Sequence, residues 1–335
     1  MSDANTVSDA SNRTEAGNPD LQTAAAYRFC RDVARHEAQN FYWAFRVLPR
    51  RKSDAMCAVY AFMRRADDIS DDESKPIEAR RAEMTAWLES WRASRASTTS
   101  PSLNPDPVFL ALADTQRRFN IPHNLLEELV AGTAMDLEPT LKPQTSNLEP
   151  GPNLEPFQTY ATFEDLYRYC YLVASVVGLV CIRIFGYSDP RAEKFAEETG
   201  VAFQLTNILR DVKEDIERNR VYLPIDLLDE FGETIPELHE LAAARTMTER
   251  ERAMLATLAI RAEKYYLAAN KLIPLLDRDS RAAMWVLVTI YHGLLARIAD
   301  RKMEVFRERV ALSTAEKLTV LARGAALAAW NRVLG

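Results

Sequence analysis

Residues 204–223 read QLTNILRDVKEDIERNRVYL, and their spacing decides between strand and helix. Leu205, Ile208, Leu209 and Val212 recur at intervals of three and four, which makes one apolar face of a helix. Asn207, Asp211 and Asp215 form an unbroken i, i+4, i+8 column on another face. Asn and Asp are poor interior helix formers, and Glu or Lys would serve a merely solvated face better. The column therefore asks for a partner outside the helix. Gln204 stands one turn before it, Glu214 beside it, and Arg210 and Arg220 flank it.

Working outward, the rest of the chain also reads as helix. Its 16 prolines fall mostly in short clusters. They leave free runs at 20–48, 50–75, 77–100, 157–189, 191–223, 237–273 and 275–335, rich in Ala, Leu, Glu and Arg. Only 10 glycines occur. Ala55, Val59, Phe62 and Ala66 share one stripe, and period-two alternation bounded by Asn-Gly or Asp-Gly is absent. The expectation is an all-α fold. Residues 94–107 and 139–156, the latter with a repeated NLEP, read as surface loops. Composition is the same on both sides of each, so residues 21–335 are expected to form a single domain behind a disordered tail, 1–20.

With 335 residues, 47% hydrophobic, the chain can bury a large core. A net charge of −6 with interleaved signs gives no basic footprint, so no nucleic-acid partner is expected. Cys30, Cys57, Cys170 and Cys181 form no CxxC pair and the four histidines are scattered. Zinc and a disulfide framework are unsupported, and reduced core thiols in a cytoplasmic protein are expected. The first 20 residues lack the basic start and apolar run of a secretory signal. Ala282–Ala296 carries no formal charge but is too short to span a bilayer; it reads as a core helix and leaves room for peripheral membrane contact.

A second acidic cluster lies at 60–73, YAFMRRADDISDDE. On a helix Asp67 and Asp71 sit one turn apart, about 6 Å along the axis, and Asp68 and Asp72 do the same on an adjacent face. Like charges at that spacing cost a few tenths of a kcal/mol, and the C-terminal end of a helix favours cations. A divalent cation resolves the repulsion, and oxygen ligands without Cys or His select Mg²⁺ or Mn²⁺. Arginine supplies forked donors to phosphate. Either cluster alone also reads as a solvated charged face. Together, in an all-helical chain, they favour a Mg²⁺–diphosphate site.

YAFMRRADDISDD (60–72) and QLTNILRDVKEDIERNRVYLP (204–224) resemble the two Asp-rich motifs of the squalene/phytoene synthase family, the head-to-head prenyltransferases. YCYLVASVVG (169–178) and NFYWAFRVLP (40–49) resemble two further family segments, and the likeness runs from about residue 27 to beyond 310. The resemblance implies an isoprenoid synthase fold with a central cavity. It implies Mg²⁺ at Asp67, Asp71, Asp211 and Asp215, with Asp68 and Asn207 in support, and diphosphate on Arg64, Arg210, Arg220 and Tyr222. Prenyl chains and carbocations would be lined by Phe41, Phe45, Tyr60, Tyr169 and Gln204, with Asn40, Ala174 and Gly178 on the substrate side. Tyr60 and Arg210 would join the four aspartates in catalysis.

From spacing alone, Phe41, Phe45 and Tyr169 also read as core aromatics, Gly178 as a packing glycine, and Tyr291 and His292 as core or cavity residues without a catalytic role. This chain departs from the family pattern at Ala38, Gln39 and Asn40, where serines are frequent. It departs again at Ser175, where glycine is frequent and the serine is expected to narrow the cavity, and in the 139–156 insertion. CIRIFGY (181–187) and the segment 290–318 resemble the bacterial presqualene-diphosphate branch, which implies two farnesyl diphosphates as substrates. Two geranylgeranyl diphosphates giving phytoene is the alternative. A catalytically inactive assembly or interaction protein is the alternative of another class, and downstream pathway enzymes would be partners of an active one. No GxG occurs, so a Rossmann domain is not expected and NADPH is disfavoured as a cofactor. The expected location is cytoplasmic, or peripheral to the inner membrane.

Overall fold

A computed structural model describes residues 19–37, 39–96, 106–137 and 158–333. The N-terminal tail up to residue 18, Ala38, residues 97–105 of the connector and the proline-rich 139–156 insertion lie outside the described residues. What is described is almost entirely helical, as the spacing requires, and its strands are two of two residues each. The chain forms two compact units, Met1–Leu126 and Glu127–Gly335.

The first unit holds α1 (Pro19–Glu37), α2 (Gln39–Val47), α3 (Arg50–Ser70), α4 (Ile77–Ala96), α5 (Pro107–Phe119) and the start of α6 (His123–Ala134). The stripe Ala55, Val59, Phe62 and Ala66 puts α3 at its centre, wholly buried. The Phe62 ring lies 4.8 Å from Trp87 and 4.9 Å from Trp91, so α4 is fixed by aromatic contact. Buried Asp114 accepts from Tyr27 at 2.9 Å and pairs with Arg118 at 2.6 Å, tying α1 to α5. Neither α5 nor α6 lies in one of the long proline-free runs named above. Pro107 begins α5 because a first-turn residue has no intrahelical N–H bond to lose, and Asp106 caps that turn by accepting from Val108 N at 2.7 Å.

The second unit comprises α7 (Phe163–Cys170), one π-helical turn (Tyr171–Ser175), α8 (Val176–Phe185), α9 (Arg191–Glu217), α10 (Ile225–Phe231), α11 (Ile235–Ala242), α12 (Glu249–Leu272), α13 (Arg278–Asp300) and α14 (Thr314–Val333). Capping boxes at Thr162/Asp165, Thr234/Glu237 and Thr248/Glu251 start α7, α11 and α12. The 27-residue α9 is the spine, packed against α8, α12, α13 and the π turn. Gly200 permits the closest of these approaches, since a Cβ there would stand 2.5 Å from the Ser175 Cα. β1 (Gln158–Thr159) pairs in parallel with β2 (Arg220–Val221).

The last proline-free run is not one helix. Residues 301–313 leave helical geometry, with positive φ at Lys302 (52°) and Met303 (61°). They form a strap between α13 and α14, seated by buried Met303, Val305, Phe306 and Val310. By length and composition alone, Phe163–Phe185 and α13 could cross a membrane, and 44% and 50% of their apolar windows are buried in the fold. The four cysteines are free. Burial pushes the thiols of Cys30, Cys57 and Cys181 up to about 12.

Candidate active site

In the first unit, α3 carries Tyr60, Arg64, Asp67 and Asp68 into its last turns. Asp71 is the C-cap, and its N–H donates to the Asp67 carbonyl at 2.8 Å, which keeps the two aspartates one turn apart. Asp72 does not continue the column expected for it with Asp68. The helix has ended, and Asp72 turns back to accept from Ser74 N at 3.2 Å and to pair with Lys75 at 3.0 Å. The Ser74 hydroxyl, which also donates to it, and then Lys75 hold its carboxyl below the usual carboxylate range. Asp68 is bound by Arg64 at 2.8 Å, an exposed i, i+4 pair. Tyr60 is half-buried, and burial together with nearby Glu37, Asp67 and Asp68 raises its hydroxyl pKa against the pull of Arg64. Phe45 on α2 is buried. The side chains of Asn40 and Phe41 lie outside the described residues.

In the second unit, the opening column is realised on α9. Leu205, Ile208, Leu209 and Val212 are buried, while Gln204, Asn207, Asp211 and Asp215 are partly exposed. Asn207 donates to Gln204 Oε1 at 3.3 Å. Arg210 forks onto its neighbour Asp211, with Nε 2.8 Å from Oδ1 and Nη2 on Oδ2. Asp215 has a carboxyl pushed up to about 7, first by burial and then by Asp211 one turn away, with Arg220 and Arg218 opposing. Asp215, Arg220 and Tyr222 line one crevice, floored by Ile208 and Val212.

An aromatic wall adjoins this crevice. Tyr169 of α7 stacks on Tyr222 at 4.9 Å and 17°, and Tyr160 completes the group at 5.3 Å from Tyr169 and 6.2 Å from Tyr222. All three are buried. The β1–β2 pairing sets Tyr160 beside Tyr222, a neighbourhood that sequence spacing does not reveal. Tyr291 of α13 stacks on Phe203 at 4.4 Å and bonds through its hydroxyl to Asn207, so it belongs to the column; burial pushes that hydroxyl up to about 12. His292 faces away, exposed and paired with Glu263 at 2.8 Å. Ala174 lies in the π turn. Gly178 packs on α9, where a Cβ would stand 3.2 Å from the Ala196 carbonyl oxygen. Ser175 is wholly buried and donates to the Glu197 carbonyl at 2.6 Å, so its side chain fills a helix contact.

The column's donor set fits a hard divalent cation. Among the described residues, no donor reaches the buried acceptors Asn207 Oδ1 and Glu214 Oε2. Among the described residues no three acidic, His or Cys side chains converge as a ready cage. Mg²⁺ needs none, being held by one or two carboxylates with waters and phosphate oxygens filling the rest. One residue on the column was missed from sequence: Arg309, in the strap, whose Nε lies 2.8 Å from Asp211 Oδ1. Nothing in the spacing of residues so far apart along the chain could have found it.

The profile of the squalene/phytoene synthase family matches residues 24–316. A phytoene synthase of Mycobacterium tuberculosis is 36% identical over 297 residues, covering 89% of each chain. A presqualene diphosphate synthase of Rhodopseudomonas palustris is 31% identical over 283 residues, covering 84% of this chain and 91% of its own. The crystal structure of a dehydrosqualene synthase with a ligand superposes with a TM-score of 0.75 at 26% identity, over 92% of this chain and 98% of that one.

Proposed function

Because the chain belongs to the squalene/phytoene synthase family of prenyltransferases, we propose that it condenses two prenyl diphosphates head to head, namely two farnesyl diphosphates to presqualene diphosphate. The observation that carries this reading is the α9 column, where Asn207, Asp211 and Asp215 stand in register with forked Arg210 beside them and buried acceptors left open. The family profile runs across both units, which supports treating residues 21–335 as one catalytic domain.

By the family resemblance, Asp67, Asp71, Asp211 and Asp215, with Asp68 and Asn207 in support, would hold Mg²⁺ or Mn²⁺, which would supply charge neutralisation to the leaving diphosphate. Arg64, Arg210, Arg220 and Tyr222 orient the diphosphate oxygens. The C1–O bond of one substrate breaks and diphosphate leaves; C1 bonds to the C2=C3 double bond of the second substrate, and loss of a proton from C1 closes a cyclopropane. By the same resemblance, Tyr60, Phe45, Tyr169 and Gln204, with Asn40, Phe41, Ala174 and Gly178, would line the prenyl chains. The stacked Tyr160, Tyr169 and Tyr222 present aromatic faces to a carbocation and keep water from it. NADPH has no part in this step. A location in the cytoplasm, or peripheral to the inner membrane that would take up the product's long hydrocarbon chains, suits this reading.

A second reading, two geranylgeranyl diphosphates to phytoene, is supported by the higher identity to the mycobacterial phytoene synthase than to the presqualene diphosphate synthase. Incubating the purified chain with each diphosphate and Mg²⁺, with and without NADPH, separates them by product mass. Presqualene diphosphate formed without NADPH is the expected outcome. Product from the C20 substrate alone would establish the second reading, and no diphosphate release from either would leave a binding or assembly protein.

A further inference from the structure

Asp211 is held by two guanidiniums, and they are held very differently themselves. Arg210 sits on the same helix and is 23% exposed, with both Asp211 oxygens in its fork. Arg309 comes from the strap and is 57% exposed; its Nε and Nη2 each lie 2.8 Å from Asp211 Oδ1, and its Nε lies 4.0 Å from Glu214 Oε1. A carboxylate offers about four lone-pair sites, and the two arginines between them take nearly all of these. An oxygen so engaged is not free to ligate a metal ion.

The strap fixes where Arg309 starts without fixing where its head points. Val310, next in sequence, is fully buried, and Met303, Val305 and Phe306 are buried with it. A change of side-chain rotamer therefore moves the guanidinium off Asp211 while the backbone stays seated. A second cation beside Arg210 is favoured at this place, because Asp211, Glu214 and Asp215 crowd onto one turn of α9 and Glu214 keeps a buried oxygen that no donor reaches among the described residues.

We propose that Arg309 is the resident counter-cation of the Asp211–Glu214 face in the metal-free enzyme, and that a divalent ion enters by exchange with it. This rests on the reading of Asp211 as a metal ligand. Arg309 thereby sets how weakly the free enzyme holds metal: each binding event must first break its bonds to Asp211. Removing the charge leaves Asp211 held by Arg210 alone and strengthens metal binding.

The test is Mn²⁺ binding to the full chain without prenyl diphosphate, read from the electron-spin signal of free aqueous Mn²⁺, for wild type, Arg309→Met and Arg309→Lys. Arg309→Met should bind about tenfold more tightly, a difference of about 1.4 kcal/mol, with Arg309→Lys in between. The gain should vanish when Asp211→Ala is added to Arg309→Met. Equal or weaker binding by Arg309→Met overturns the exchange while leaving the metal reading intact. No binding by any variant overturns the metal reading and the exchange with it. If Arg309→Met does not fold, the wild type decides alone: phenylglyoxal should modify Arg309 faster with Mn²⁺ present, by peptide mass, and an unchanged rate overturns the proposal.

Discussion

Asp215→Asn should stabilise the metal-free protein while abolishing turnover. The Asp215 carboxyl is raised from 3.8 to about 7 in the folded chain by burial and by Asp211. Between those values the folded state binds a proton that the unfolded state has released, so stability falls as pH rises from 3.8 and levels off above 7. At 1.36 kcal/mol per pKa unit, the cost of ionising Asp215 is under about 1 kcal/mol at pH 4, about 2 at pH 5 and about 4 at pH 8. Asparagine keeps the shape and removes the charge, so it escapes that cost. Urea unfolding of both proteins in chelator at pH 4, 5 and 8, with equal m-values, reads the difference directly. The gap should widen with pH towards about 4 kcal/mol in favour of Asp215→Asn. A gap independent of pH, or one that favours the wild type at pH 8, would refute the reasoning.

Asp67→Ala and Asp211→Ala should each abolish Mg²⁺-dependent diphosphate release with the helical circular dichroism unchanged; full turnover in either would remove these residues from the site. Gly200→Ala should cost about 1–3 kcal/mol by overpacking, since the new Cβ meets the Ser175 backbone at 2.5 Å. Gly178→Ala, with its nearest contact at 3.2 Å, should cost less in the same denaturation series. Asp106→Ala should cost about 1 kcal/mol through the lost α5 cap, visible as a lower urea midpoint with unchanged m-value.

The α9 column was legible in the sequence because helix geometry fixes what i, i+4 and i+8 mean once the run is long enough, and α9 runs unbroken past Asp215. The same rule failed for Asp68 and Asp72 because it needs a helix beneath both. There, Ser74 and Lys75 offered Asp72 local partners that favour a turn. Proline spacing hid α5 because Pro107 closes the cluster Pro101, Pro105 and Pro107, which reads as a loop, and yet begins a helix. Arg309, Tyr160 and Tyr291 reach the site through tertiary packing, and no local pattern encodes that. The π turn at Tyr171–Ser175 was not read from the sequence; it lies where Gly200 lets α9 approach Ser175.

The pairing of β1 with β2 is two residues long, and it is extended by Ile225 N to Tyr160 O at 2.9 Å and Asp226 N to Ala161 O at 3.1 Å. It works as a mooring. Whatever the chain does between Leu137 and Gln158, it must return to the same point before Tyr160 is placed. Doubling the length of such a detour costs only about 0.6 kcal/mol in closure entropy. Lengthening the chain between Leu137 and Gln158 should therefore leave the stacked Tyr160, Tyr169 and Tyr222 in place.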